Sequence, residues 1–532
     1  MKIDKVYIDN FKNLHDFFID INETKLHTVL LGQNAAGKSN FIEAIVLIFR
    51  DLDHENETSF NYEIQYKCSG NFIKAIGGPK VKGKYQLFLG INDSNSIKYS
   101  NKPLSKTLLK KNKDNYLPKH VFSYYSGVSN RLLEHFDRHQ VRFRDDLLNG
   151  IDHPIRKLFY ARHIHSHFVL MAFFSFSDLK IQNFLNEYLD IIGLESVLFV
   201  FKEPNWKRNK DPKDFWGAKG LVRNFLKELW EISMAPIITT ESIRVDFVKK
   251  SSQQQMHLFV SNEDKLQKLA DKYSNHSLFF KILESTYVSD LIEEVRIKVK
   301  KKNIDGTITF KELSEGEQQL LTVLGLIRFT KENESLFLLD EPDTHLNPLW
   351  KWKYMNLLED VVDENDQSQI LLTTHDPLVI GGLTKEEIRV FQSVKKNDEE
   401  GKEYQKVETF EPDFDPKGLG VAGILTSELF NLPAAMDEDT YLDLHRKREL
   451  ELLRREGKLN EAESTELQNL STNLSRLGFD KVQRDPLYDK FIKAVYKNPD
   501  LKKAPSNFEE RTLQNETMAE LIKQIMDEEK RL

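Results

Sequence analysis

The sequence predicts an α/β fold: a mixed sheet interrupted by a globular helical insertion and followed by a second helical region. Three observations predict it. Residues Gly32 to Ser39 read GQNAAGKS, set between an apolar strand (Thr28 to Leu31) and a helix carrying Phe41, Ile42, Ile45, Val46 and Phe49. Leu336 to Leu339 is an unbroken apolar run that ends on Asp340 and Glu341. A second run, Ile370 to Leu372, leads through two threonines to His375. Short apolar runs of this kind suit parallel strands covered on both faces.

The first element is a full G-x-x-x-x-G-K-S phosphate loop in the strand–loop–helix context its chemistry needs. Gly32 and Gly37 let the backbone curl, so that N–H groups and the positive helix end face phosphate. With Asn34 they are candidates for nucleotide binding. Lys38 would neutralise β- and γ-phosphate charge, and Ser39 would ligate Mg2+. In an open α/β sheet ligands bind at the carboxyl ends of strands, where Asp340 and Glu341 fall. Paired acids there are costly unless they hold a cation or polarise water. Asp340 is therefore a second metal candidate, and Glu341 is the candidate that orients attacking water. Taken alone, the pair reads equally as a solvated acidic turn.

Two further stretches select the class. Leu313 to Gln318, LSEGEQ, resembles the LSGGQ signature of ABC ATPases, with Glu315 where a glycine usually stands. Ser314 and Glu317 are also spaced as a helix capping box. His375 follows the acid pair at the distance of the ABC switch histidine. All four elements occur in ABC order. The resemblance implies ATP and Mg2+ as ligands, Ser314 and Gly316 as groups reaching the nucleotide of a second copy, and His375 as a catalytic residue. One chain carries one phosphate loop and one signature, so the resemblance implies a homodimer or higher homo-oligomer.

In chain order, a strand (Ile3 to Ile8) precedes Phe11-Lys12-Asn13-Leu14, and the phosphate loop follows about twenty residues later. That opening is similar to the RecF, SMC and OLD branch of ABC ATPases, which makes Lys12 a nucleotide-proximal candidate; it reads equally as a surface lysine. Residues 1–115 form the expected N-terminal lobe, with antiparallel strands after residue 51. The basic stretch KKNKDN from Lys110 reads as a solvated loop. His120 to Tyr125 reads as a strand, but no Q-loop glutamine follows it; Ser126 and Arg131 are the nearest substitutes.

About 270 residues separate Ser39 from Ser314. No heptad is sustained there, so residues 116–290 are expected to be a helical insertion rather than a coiled coil. His163, His165 and His167 alternate as ligands on a strand would, yet the FVLMAFF run beside them favours a buried helix that splays them. Residues 291–411 carry a hairpin through Asn303-Ile304-Asp305-Gly306, then the signature, acid pair and histidine. Arg296, Lys298 and Lys300 share one face of its first strand. Residues 412–532 are expected to be helical, with a leucine-spaced αα-hairpin broken at Gly457 that either packs on itself or docks a partner. Asp413-Phe414-Asp415 lacks a preceding apolar strand and reads as a loop.

Composition bounds the rest. The 532 residues carry a net charge of −7, which disfavours nucleic-acid binding by the whole surface. No apolar run approaches a membrane span, no signal peptide is evident, and a single cysteine suits a reducing cytoplasm. Residues 1–50 and 290–395, more loosely with GILTSELFNL and the following helices, resemble phage-defence ATPases of the PtuA kind from Septu systems and some retrons. That resemblance implies an HNH nuclease partner, with nucleic acid, retron RNA or DNA included, engaged through the complex. Two other classes stay open: a RecF-like DNA-repair ATPase that clamps DNA directly, and a scaffold whose ATP cycle gates assembly.

Overall fold

Alternating and unbroken apolar runs resolve into three sheets. The computed structural model describes residues 1–532 except 94–95, 153–155, 177–178, 210, 245–249, 303–306, 331–333, 362–366, 398–402, 478, 480–490, 492–493, 496–497, 499–500, 502–507 and 530–532. It divides into two compact units, 1–414 and 415–532, where the sequence had suggested a boundary at 411 and 412.

The central sheet of the first unit has seven strands in the order Glu403–Phe410, Ile388–Asn397, His27–Gly32, Gln369–Thr373, Ser335–Asp340, His120–Tyr125 and Leu158–Tyr160. Pairings are parallel except at the Glu403–Phe410 edge. Ser335–Asp340 and Gln369–Thr373 are buried along their whole length, as unbroken apolar composition requires of strands covered on both faces. Their register sets Asp340 beside Thr373 on one side and Tyr125 on the other, and Thr373 beside Leu30. The carboxyl ends of these strands therefore finish together, just below the phosphate loop.

A six-stranded antiparallel sheet flanks this core, ordered Phe17–Asp20, Lys2–Asp9, Asn61–Cys68, Asn71–Gly77, Tyr85–Asp93 and Ser96–Tyr99. It packs against helix Lys38–His54, whose Phe41 meets Phe17 at 5.8 Å and Phe391 at 5.9 Å between ring centroids. Fully buried Phe side chains here contribute roughly 1.5–3 kcal/mol each by burial, and pin the helix beneath its loop.

Helices expected between Ser129 and Leu291 are present, including Asp137–Leu148, Ile164–Ser175, Gly220–Ile232 and His276–Val288. The segment is not purely helical, however. Ile191–Lys202, Ile237–Arg244 and Lys250–Val260 join Ile292–Lys301 and Thr307–Thr309 in a five-stranded antiparallel sheet. Ile191–Lys202 is the sheet's central strand, and its VLFVF run is an unbroken apolar stretch that suits a buried strand as well as a buried helix. Residues 303–306, the expected turn of the hairpin, lie outside the described residues. Arg296, Lys298 and Lys300 do share the exposed face of their strand.

The three alternating histidines fall on helix Ile164–Ser175 and its first turn and do different jobs. His165 Nε2 sits 2.7 Å from Glu284 Oε2, and Arg156 Nη1 reaches the same carboxylate at 2.5 Å. Burial opposes the Glu284 charge, but His165 and Arg156 beside it hold its carboxyl down at about 2. His167 packs on Phe310 at 4.2 Å, and burial pushes its imidazole down to about 3.

In the second unit, helices Glu438–Arg455 and Glu461–Arg476 form the expected hairpin around Gly457. Asp437 caps the first helix through the Thr440 N–H, and Asn460 with Glu463 forms a capping box on the second. Arg446 grips Glu466 through two bonds of 2.8 and 2.9 Å. Helix Gly420–Thr426 precedes the pair in the chain and Phe508–Glu529 follows it. Among the described residues no helix is long and apolar enough to cross a membrane.

Candidate functional site

Phosphate-loop residues and paired acids meet at the carboxyl edge of the central sheet. Gly32 ends its strand at φ 141°, and a Cβ there would lie 2.3 Å from the Phe391 carbonyl oxygen. No side chain fits. Gly37 adopts φ 100° as the residue before helix Lys38–His54, a conformation that strains any L residue with a Cβ. Asn34 is exposed at the loop tip. Lys38 Nζ donates to Gly32 O at 2.7 Å and Gln33 O at 3.0 Å, folding back over its own loop. Burial lowers its pKa to about 8, against the pull of Glu341 and Asp340.

Asp340 is fully buried. Its Oδ1 accepts from Ser39 Oγ at 3.0 Å and from Thr373 Oγ1 at 2.6 Å. Its Oδ2 is buried with no hydrogen-bond partner among the described residues. Burial raises the Asp340 pKa above the ordinary value, with Ser39 and Thr373 opposing. An orphaned carboxylate oxygen beside a serine hydroxyl is the donor set a small hard cation uses, so these residues fit Mg2+. Glu341 turns off the strand at φ 53°, held by bonds from its N–H to Thr373 O (3.2 Å) and Thr373 Oγ1 (3.0 Å). Left-handed backbone on a non-glycine residue is costly and clusters at functional sites. His375 Nε2 lies 3.5 Å from Glu341 Oε1, and burial, then the Lys38 charge, lowers the imidazole pKa.

Ser314 and Glu317 form the capping box of helix Glu315–Thr330: Glu317 N–H donates to Ser314 Oγ at 3.3 Å, and Ser314 N–H to Glu317 Oε2 at 2.7 Å. Gly316 lies under the turn after the acid pair; a Cβ on it would come 2.5 Å from His345 O. Gln319 links the same parts, accepting from His345 N–H at 3.0 Å. The signature stretch and the Asp343–Leu346 turn are thus packed as one surface.

Lys12 meets the helix that follows the loop. It pairs with the buried Glu43 of the following helix, as do Arg131 (2.7 Å) and His135 (3.2 Å). Burial raises the Glu43 pKa, but His135, Lys12 and Arg131 together hold it down at about 2. Its neighbour Asn13 reaches the loop instead: Nδ2 donates to Ala35 O at 3.0 Å, while Oδ1 accepts from Asn40, which in turn accepts from Arg131. Ser126, the other Q-loop substitute, meets Thr344 at 3.1 Å.

Sequence reasoning passed over Thr373, Asp343 and Asn13. Thr373 binds both Asp340 and the Glu341 backbone, and Thr374 Oγ1 donates to Asp343 Oδ2 at 2.8 Å. Burial raises the Asp343 pKa to about 6. The signal was the threonine pair preceding His375, read only as strand.

This fold and this edge define the class, an ATPase-type α/β domain. The chain belongs to the family described as "AAA domain, putative AbiEii toxin, Type IV TA system", whose model matches residues 28–381. It is similar to "Septu protein PtuA" of Bacillus mycoides (strain KBAB4), 27% identical over 226 residues, 40% of this chain and 29% of that protein. It is similar also to "Retron Vc95 probable ATPase" of Vibrio cholerae serotype O1 biovar El Tor, 32% identical over 127 residues, 20% of this chain and 24% of that one. The chain thus matches under a third of either relative's length. The SMC head domain from Thermotoga maritima aligns at 12% identity and TM-score 0.31, over 78% of this chain and 100% of that one. The expected relationship to PtuA is met by these sequence matches.

Proposed function

We propose that this chain binds and hydrolyses ATP as a subunit of an anti-phage defence complex, and that its ATP cycle gates a separate HNH nuclease. The observation that carries the ATPase reading is the Asp340 carboxylate, bonded to Ser39 through one oxygen and without a hydrogen-bond partner among the described residues at the other. The defence setting rests on the Septu and retron relatives.

Lys38, Gly37 and the helix N-terminus would hold phosphate charge. Ser39 and Asp340 would hold Mg2+, which supplies charge stabilisation when bound. Glu341 orients water for in-line attack, and His375 beside it steadies that carboxylate and the transferred charge. Ser314 and Gly316 act on the nucleotide of a second copy, so closure of two chains completes each site. Differential affinity for the closed pair then moves the rest of each chain and any partner.

Purified protein should hydrolyse ATP in a Mg2+-dependent manner, and Glu341→Gln should trap an ATP-bound assembly with altered nuclease activity in a pull-down. No ATPase activity alone or with partner, or an oligomer and partner set unchanged by Glu341→Gln, would contradict the reading. A direct DNA clamp is the second reading, favoured by exposed Lys298 and Lys300. Arg296 on that face is already paired with Glu294. Salt-dependent DNA binding by this chain alone would favour the clamp.

A further inference from the structure

The helix that starts at Lys38 ends at His54, and something quite different gathers at that end. Asp53, His54 and His139 each offer a ligand atom, and those atoms lie within 4.8 Å of one another. Asp53 Oδ2 is 2.9 Å from His139 Nε2, and the two imidazole rings sit 4.1 Å apart between centroids. His139 is 6% exposed. His139 Nδ1 and His54 Nε2 are both buried with no hydrogen-bond partner among the described residues. Buried polar nitrogens are ordinarily satisfied, so two orphans in one cluster require an explanation.

We propose that Asp53, His54 and His139 form a binding site for one transition-metal cation of the zinc type. Two imidazoles and a carboxylate are a borderline donor set, suited to Zn2+ and to its stand-ins Co2+ and Ni2+; the fourth tetrahedral position falls to water. Asp53 Oδ1 already faces Lys113 Nζ at 2.9 Å and Lys157 Nζ at 3.6 Å. Those ammonium groups act against a hard cation held by charge alone, and so select a metal held by directional bonds to imidazole nitrogen over Mg2+ or Ca2+. They also keep the carboxylate ionised.

The site is separate from the ATPase edge. Ser39 and His54 stand 15 residues apart on one 17-residue helix, which separates them by about 22 Å at 1.5 Å per residue. A metal there would tie the C-terminal end of the phosphate-loop helix to helix Asp137–Leu148, where His139 sits. Asp137–Leu148 packs in turn on helix His276–Val288 and Gly220–Ile232. The metal is thus a clamp between the nucleotide-holding helix and the inserted segment, and it holds whether or not the chain hydrolyses ATP.

The test uses the full chain, stripped with a chelator and titrated with Zn2+ against a chromophoric competitor, with Co2+ absorption as a second readout. The wild type should take up one equivalent of Zn2+, give a tetrahedral Co2+ spectrum, and melt higher with Zn2+ present. His139→Asn and His54→Gln should each weaken Zn2+ at least about tenfold and remove the Co2+ bands. Melting of each variant without metal checks that it is folded; if one fails to fold, the other decides. Millimolar Mg2+ should not displace the bound metal. A wild type that takes up no Zn2+, or folded variants that bind it as tightly with the same Co2+ spectrum, would overturn the proposal and leave Asp53 and His139 as a hydrogen-bonded pair.

Discussion

Ser39 Oγ donates to Asp340 Oδ1 at 3.0 Å, joining the end of the phosphate loop to the end of a strand 301 residues later in the chain. Substituting Asp340→Asn keeps the shape but removes the charge a cation needs. The Mg2+-dependent part of nucleotide affinity should fall at least about tenfold, since one charge-assisted contact is worth ~1.5–3 kcal/mol. Titration of a fluorescent ATP analogue with and without Mg2+ reads this directly. Equal Mg2+ dependence in wild type and variant would remove Asp340 from the metal site.

Lys38 gives a pH dependence whose sign follows from its burial. Its pKa in the free protein is lowered to about 8, and contact with phosphate would raise it again. Binding then takes up a proton wherever free Lys38 is deprotonated. Affinity should be flat below pH 8 and fall by up to about tenfold per pH unit above it. Lys38→Arg, which stays protonated, should flatten the profile even if it binds more weakly.

Variants at Glu341 and His375, 3.5 Å apart, test whether chemistry and binding separate as proposed. Glu341→Gln should slow single-turnover hydrolysis on the order of 100-fold or more while nucleotide affinity changes little. His375→Ala should slow the same step less. Affinity falling in step with rate in both variants would make the pair a structural contact.

Glu43 bonds Lys12, Arg131 and His135 from two parts of the chain, so Glu43→Gln should destabilise the fold by ~1–3 kcal/mol at pH 7 in urea unfolding. The carboxyl is held at about 2 against its ordinary 4.5. Its contribution is therefore complete above pH 4.5 and lost as pH falls toward 2. The gap between wild type and variant should close across that window.

What could be read from the residues was the part whose chemistry is local. A phosphate loop needs its strand and helix in sequence, so Gly32, Gly37, Lys38 and Ser39 announced their surroundings, as did the unbroken run ending on Asp340. What could not be read depended on distant partners. The spacing of Lys12 does not show that Glu43, one helix turn past Ser39, is the charge it meets in this structure. Lys113, within the basic stretch read as a solvated loop, stands in a short helix and reaches Asp53. Strand Ile191–Lys202 was missed because its pairing partners, Lys250–Val260 and Ile292–Lys301, both lie beyond intervening helices.

The central claim is that each catalytic site is shared between two copies of the chain. Lys38→Ala and Ser314→Arg should each abolish ATPase activity as single variants. Mixed and allowed to exchange subunits, they should recover roughly a quarter of wild-type activity, because each mixed pair holds one site with an intact loop and an intact signature. Activity that stays at zero in the mixture, with exchange verified by tagged subunits, would contradict the shared site.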